Sequence, residues 1–317
     1  MYEAVEMRMV LADWLKKIMN EDKDVIVIDA DLGRANGTLG LQQAFPDRAL
    51  NVGVAESNMA CVGAGLASYG FKPFIFSFCP FVTRRICDQI TISIAYARQN
   101  VKIVGTDPGL AAAFNGGTHM TLEDVGVMRS IPGMVIFEPV DGDQLAKALP
   151  KIMEYEGPVY IRLFRKVAPA TFFSAESYDF DLFKANLLQE GKDVTLLATG
   201  IEVKEAMLAA NILREEGISA EVINVHTIKP IDKETIIQSV AKTKCAVSCE
   251  NHNITGGLGS AVSEALAANY PVPMEFIGMK DAFSEVGKTA YVVRKYQMDA
   301  KSIAEAVKRV IDRKAGR

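Results

Sequence analysis

The sequence predicts an α/β fold made of two doubly wound domains, a parallel-sheet domain followed by a smaller α/β domain. Two observations predict it. Short apolar runs alternate with longer amphipathic ones through most of the 317 residues. The alternation lapses once, between Ala168 and Gly191, and then restarts. Strand–helix alternation of this kind implies a parallel sheet with helices on both faces.

The N-terminal stretch to Asn20 mixes acidic, basic and apolar positions around Trp14 and Leu15, so it reads as an amphipathic helix and not as a leader. Buried strands are expected at Val25–Asp29, Pro73–Ser77, Val101–Gly105, Met134–Phe137 and Val159–Leu163. Between Val82 and Gln99, Ile86, Ile90 and Ile94 fall four apart and give one apolar helix face. The lapse carries Pro169, Phe172, Phe173, Ser174 and Ser177, which suggests a linker and places the boundary at 175/176. Beyond it come a strand at Val194–Ala198, a helix over Glu202–Glu216 and a strand near Ala220–Asn224. A helix from Asp232, a strand at Cys245–Cys249, a helix after Gly256-Gly-Leu-Gly259 and a charged helix over Asp299–Arg313 complete the second domain.

Composition narrows the function classes. Apolar residues make up 49% and charged ones 23%, as in a compact protein with large cores. A formal charge of −4 argues against a nucleic-acid footprint, and no apolar run is long enough to span a membrane. The five cysteines form no CxxC pair, and Cys245 and Cys249 share an apolar strand, so reduced, buried thiols in a cytoplasmic protein are expected.

The chemistry centres on Glu56, in Asn51-Val-Gly-Val-Ala-Glu-Ser-Asn-Met59. A strand end followed by Ser57 as N-cap would put this carboxylate at the carboxyl edge of the sheet, where open α/β folds bind ligands. Alone, it reads rather as a glutamate complementing a helix macrodipole. The string Val54-Ala-Glu-Ser-Asn-Met-Ala-Cys-Val-Gly-Ala-Gly, together with Asn115-Gly-Gly-Thr-His119 downstream, resembles the pyrimidine-binding half of the transketolases. The resemblance covers nearly the whole chain, but only the second and third domains of full-length members. It implies a thiamine-pyrimidine-binding domain, then a transketolase C-terminal domain. It also implies that Glu56 hydrogen-bonds N1′ of the aminopyrimidine of thiamine diphosphate, favouring the tautomer that takes the C2 proton.

Other positions follow from the same resemblance. Phe78 and Phe81 match two aromatic positions beside the pyrimidine, although by spacing alone they could be core. His119 would bond the sugar's hydroxyls or its reacting oxygen, and Asn115 stands where an aspartate is usual. Asp31 matches an aspartate near the cofactor, with a strand-end turn as its plainer reading. Arg8 and Arg165 match two arginines that grip a sugar phosphate. The serine and histidine that complete that grip fall at Ala35, beside Arg34, and near Thr106, so the site reads either as one for another anion such as a sulfonate or as a relaxed one, and phosphate and sulfonate both stay open. Arg84 stands where a tyrosine is common. His226 reads as structural, and His252 lies in a segment similar to one in split transketolases.

A Gly-Asp-Gly motif, which in the family anchors the diphosphate through Mg²⁺ (or Ca²⁺), does not occur. Asp141-Gly-Asp-Gln144 is the nearest string, and no metal ligand is assigned to this chain. The resemblance therefore implies the C-terminal subunit of a split enzyme, active only with an N-terminal partner subunit that carries the diphosphate and metal, in an α2β2 heterotetramer. The reaction implied is transfer of a two-carbon ketol unit from a ketose to an aldose. The rival reading is the beta subunit of a 2-oxoacid dehydrogenase, which shares the two domains but lacks the Gly-Gly-Thr-His string. A non-catalytic subunit of the same fold is the third reading.

Overall fold

The computed structural model describes residues 2, 4–174 and 178–316; the expected boundary at 175/176 and Ser177 lie outside them. Among the described residues there are two sheets. The first uses β1 (Val25–Asp29), β2 (Ala49–Asn51), β3 (Lys72–Phe78), β4 (Lys102–Thr106), β5 (Val135–Phe137) and β6 (Val159–Leu163). The second uses β7 (Asn186–Gln189), β8 (Val194–Ala198), β9 (Ala220–Asn224), β11 (Ala246–Asn253) and β12 (Met274–Met279). The three-residue β10 (Thr227–Lys229) leaves the second unit and closes the edge of the first sheet, giving the orders β10-β5-β6-β4-β3-β1-β2 and β12-β11-β8-β9-β7. All pairings are parallel except β10 on β5 and β7 on β9.

β1, β4 and β6 are buried along their whole length, as strands covered on both faces must be. One face packs under helices Met7–Glu21 and Gly142–Glu154, around Leu11, Leu15, Phe74, Leu145 and Leu149. The other packs under helix Glu56–Ser68 and the segment carrying Ile86, Ile90 and Ile94, all three fully buried as their spacing predicts.

That segment is not one helix. It is a short helix (Cys79–Val82), a 3₁₀ turn (Arg84–Ile86), a further turn (Cys87–Gln89) and a π-helix (Ile90–Tyr96). The hydroxyls of Thr83 and Thr91 donate to the carbonyls of Cys79 and Cys87, at 2.6 and 2.7 Å, and so compete with the regular ladder. Two smaller expectations also change. Ala55, not Ser57, is the N-cap of the Glu56 helix. Cys61 is exposed and Cys87 half-buried, while Cys79, Cys245 and Cys249 are buried free thiols.

The two sheets share a polar and apolar seam. Arg162 of β6 is completely buried, with Nε 2.7 Å from Asp124 Oδ2, Nη1 2.7 Å from Glu138 Oε1, and Nη2 donating to the Asn251 carbonyl of β11 at 2.8 Å. Burial pushes Asp124 up, but the Arg162 charge and hydrogen bonds outweigh it and hold its carboxyl below the usual range. Glu138 is raised, because burial wins there over its single bond to Arg162. The apolar core of the second sheet reaches across this seam to Leu110, Ala112, Met120 and Leu122.

His226 sits inside the structure between the Thr227 hydroxyl and the Lys184 carbonyl, and burial pulls it down to about 4. His252 is buried at the seam, 3.9 Å from Asp124 and 3.7 Å from Glu250.

Candidate active site

Three predicted residues, Asp31, Phe78 and Arg165, and the unpredicted Asp107 lie at the carboxyl edge of the first sheet, because β1, β3, β4 and β6 all run the same way. Asp31 follows β1, Phe78 ends β3, Asp107 follows β4 and Arg165 follows β6. Asp31 has φ +64°, and its turn is tied by reciprocal bonds with Asn51: Asn51 Nδ2 donates to Oδ1 at 2.9 Å, and the Asp31 amide donates back at 3.1 Å. Its observed contacts are those of a turn carboxylate.

Glu56 is the first residue of its helix and only 4% exposed. Arg85 Nη1 lies 2.8 Å from its Oε1, and the same guanidinium lies over the Phe81 ring, 4.0 Å from the centroid. Phe78, Phe81 and His119 form an aromatic cluster, with His119 5.7 Å from Phe78 and 5.3 Å from Phe81, both edge-on. The Thr118 hydroxyl, 2.9 Å from Nδ1, engages one ring nitrogen and leaves Nε2 for a ligand. Phe78 in turn lies under Arg165, 5.2 Å from guanidinium carbon to centroid.

Arg165 and Arg8 converge. Their Nη1 atoms both donate to the carbonyl of Ala35, at 3.3 and 2.8 Å, and with Asp31, Leu32, Arg34 and Ala35 they line a cleft of about 390 Å³. Arg8 is paired with Glu6 at 2.6 Å, and Arg165 Nε lies 2.8 Å from Asp107 Oδ2. That second contact is an ion pair without hydrogen-bond alignment, since both Asp107 oxygens are buried without a hydrogen bond. Burial raises Asp107 and Arg165 opposes the rise. Thr106 does not face the cleft: its hydroxyl donates to Asn36 Oδ1 at 2.8 Å inside the sheet. Each guanidinium has five N–H donors, more than these partners use.

The loop bearing His119 is braced by Asn251 of β11, an inner strand of the second sheet. Gly109 has φ +51°, and a Cβ there would fall 2.4 Å from the Asn251 carbonyl, so only glycine fits. Asn251 then bonds the Leu110 amide and the Pro108 carbonyl, each at 2.9 Å. Ala113, at φ +49° and ψ −105°, carries the strain of the turn. Asn115 ends this 3₁₀ segment, exposed, and lies outside the cleft lined by Arg8 and Arg165.

Two residues were missed from sequence. Arg85 is four residues beyond Phe81, a spacing at which a cation and a ring can meet on a helical turn. Asp107 directly follows β4 and had only its strand-end place to mark it. Arg84 turns away from Phe81 to pair with Glu123 at 2.6 Å. Asp141 is a helix cap, accepting from the amides of Gln144, Phe172 and Phe173.

A glutamate, two phenylalanines tilted against each other and a histidine beside paired arginines, on a mainly parallel sheet joined to a second α/β unit, make up a transketolase-type site. Residues 3–170 match the family described as "Transketolase, pyrimidine binding domain", and residues 183–303 match "Transketolase, C-terminal domain". The chain belongs to the transketolase family and is a subunit of a thiamine-diphosphate-dependent, transketolase-type transferase. It is 51% identical over 302 residues (95% of this chain, 93% of the other) to the 6-deoxy-6-sulfo-D-fructose transketolase subunit SqwH of Clostridium sp. (strain MSTE9). It is 35% identical over 294 residues (92% and 93%) to an apulose-4-phosphate transketolase subunit of Phocaeicola vulgatus. Among solved structures it is similar to "Split gene transketolase, inactive beta4 tetramer", with a TM-score of 0.89, 37% identity and coverage of 97% and 99%. The oxoacid dehydrogenase reading is not favoured by these matches.

Proposed function

We propose that this chain, paired with a separate N-terminal subunit in an α2β2 assembly, transfers a two-carbon ketol unit from a ketose bearing a sulfonate end to an aldose. The observation that carries this reading is continuity. Glu56, Phe81, His119, Phe78, Arg165 and Arg8 form an unbroken chain of contacts or shared neighbours from the buried carboxylate to the cationic cleft. The proposed domain boundary stays near residue 175. The cofactor's diphosphate and Mg²⁺ are assigned to the partner, and the protein to the cytoplasm; among the described residues no helix is long and apolar enough to cross a membrane.

The residues present fit the pyrimidine end of thiamine diphosphate. A flat cationic group, the Arg85 guanidinium, already lies between the Phe81 face and the Glu56 carboxylate. When bound, the cofactor supplies the acyl-anion equivalent that carries the two-carbon unit. Glu56 would hold the ring nitrogen proton, Phe81 and Phe78 would exclude water, and His119 Nε2 would hold a proton at the sugar's reacting oxygen.

A sulfonate suits the cleft for a charge reason. Arg8 and Arg165 each already face a carboxylate, Glu6 and Asp107, which lowers the pull on a dianion. Ala35 brings no hydroxyl, and Thr106 is engaged by Asn36. The cleft therefore offers planar N–H forks to a monoanion with three equivalent oxygens. The 51% identical relative is named for a sulfo-sugar, and the 35% relative for a phosphate ester.

Two measurements test the reading. Calorimetric titration of the isolated chain with thiamine diphosphate and Mg²⁺ is expected to give no tight binding, and addition of the N-terminal subunit should restore it. Micromolar affinity in this chain alone would sink the split-site assignment. In the complex, Arg165→Ala should lower kcat/KM for a sulfonated ketose by about 2 kcal/mol, roughly 30-fold, while changing a neutral donor such as erythrulose little. Equal losses on both donors would remove the anion from the proposal.

A further inference from the structure

Arg85 is a guanidinium held in the place where the pyrimidine reading puts a ring. It lies over Phe81 at 4.0 Å from the centroid and reaches Glu56 Oε1 with Nη1 at 2.8 Å. A protonated aminopyrimidine offers the same features: a flat face, a positive charge spread over an N–C–N unit, and an edge N–H for a carboxylate. The two groups cannot use Glu56 Oε1 and that face of Phe81 together. The Arg85 side chain is 47% exposed, whereas Glu56 is 5% exposed, so the cation enters from solvent onto a fixed, buried acceptor. An arginine half in water is only weakly held. The neighbouring Arg84 cannot play this part, because Glu123 and the Thr118 carbonyl engage it.

We propose that Arg85 stands in for the aminopyrimidine: it occupies the Glu56–Phe81 gap in the cofactor-free subunit and is displaced when the cofactor enters. The inference rests on the functional reading above. While seated, Arg85 competes with the cofactor, so the apparent affinity is the intrinsic one multiplied by the fraction of sites that Arg85 leaves open.

The test is calorimetric titration of the two-subunit complex with thiamine diphosphate at saturating Mg²⁺, for wild type, Arg85→Ala, Arg85→Lys and Phe81→Ala. Arg85→Ala should bind about three- to tenfold tighter, the range expected from removing a half-exposed stacked ion pair that competes with the ligand. Arg85→Lys keeps the charge but loses the planar stack, so it should fall between wild type and Arg85→Ala. Equal or weaker binding by Arg85→Ala, with Phe81→Ala clearly weakened, would overturn the stand-in and leave the pyrimidine site intact. If Arg85→Ala does not fold, weaker binding by Arg85→Lys than by wild type overturns the proposal equally. No binding by the wild-type complex, or binding by Arg85→Ala that is unaltered when Phe81→Ala is added to it, would instead sink the functional reading itself.

Discussion

Replacing Arg162 by leucine is expected to cost about 3–5 kcal/mol of stability, because it leaves buried carboxylates without their cation. Asp124 is wholly buried and takes two bonds from the guanidinium, at 2.7 and 3.1 Å; Glu138 takes one at 2.7 Å. The Tyr160 hydroxyl, 2.7 Å from Asp124 Oδ2, would stay but carries no charge. The deficit should depend on pH, with a definite sign. Without Arg162 the native-state pKa values of Asp124 and Glu138 rise. A carboxyl with a raised native pKa loses stability as pH climbs through that value and regains it as the group takes up a proton on acidification. Urea unfolding should therefore show a larger deficit at pH 8 than at pH 5.5. Adding Glu138→Gln should recover part of it at pH 8. A deficit of the same size at both pH values would mean that Arg162 contributes packing and not charge.

The same substitution probes how the second unit serves the site. Arg162 bonds the Asn251 carbonyl, and the Asn251 side chain clasps the loop at Pro108 and Leu110 that leads to His119. Gly116 and Gly117 of that loop also lie against Val286 and Ser284. The C-terminal sheet thus works as a brace for the histidine without lending a side chain to the aromatic cluster.

Much of this was legible in the sequence because it is local. β1, β6, β8 and β9 have the expected bounds, since a run of apolar residues between turn signals marks a buried strand without reference to anything distant. β7 was not legible: it lies within the expected linker, Leu187 is 47% exposed, and it exists only by antiparallel pairing with β9. β10 is three residues long and is fixed by β5, about ninety positions earlier, which no local period encodes. The breaks between Cys79 and Tyr96 depend on Thr83 and Thr91 hydroxyls choosing backbone carbonyls, a choice that apolar spacing does not record. In the candidate site, the neighbourhood of Phe78, Phe81 and His119 was legible as strings, as was the string carrying Glu56. The resemblance also paired Arg8 with Arg165; what it did not give is the Ala35 carbonyl they share, because that needs the ends of β1 and β6 and the start of the first helix to meet in space.

Glu56→Gln in the two-subunit complex is expected to keep the fold and lose most turnover, about 2–4 kcal/mol of transition-state stabilisation, or roughly 30- to 1000-fold. The fold should survive because the carboxylate holds no core together. The hydrogen bond it makes is to half-exposed Arg85, and its helix begins without any side-chain cap. The amide is the same size and can still accept a bond from a ring N–H. What it lacks is the charge that favours a proton on that ring nitrogen, and the difference grows in a site where Glu56 is only 4% exposed and Phe78 and Phe81 keep water away. The loss should therefore appear in the proton step and not in capture of the donor. Exchange of the cofactor's C2 proton, followed by NMR on the complex, should slow in parallel with kcat, while KM for the ketose changes little. Unchanged exchange in Glu56→Gln would take this carboxylate out of the mechanism and leave it as a helix-terminal glutamate paired with an arginine.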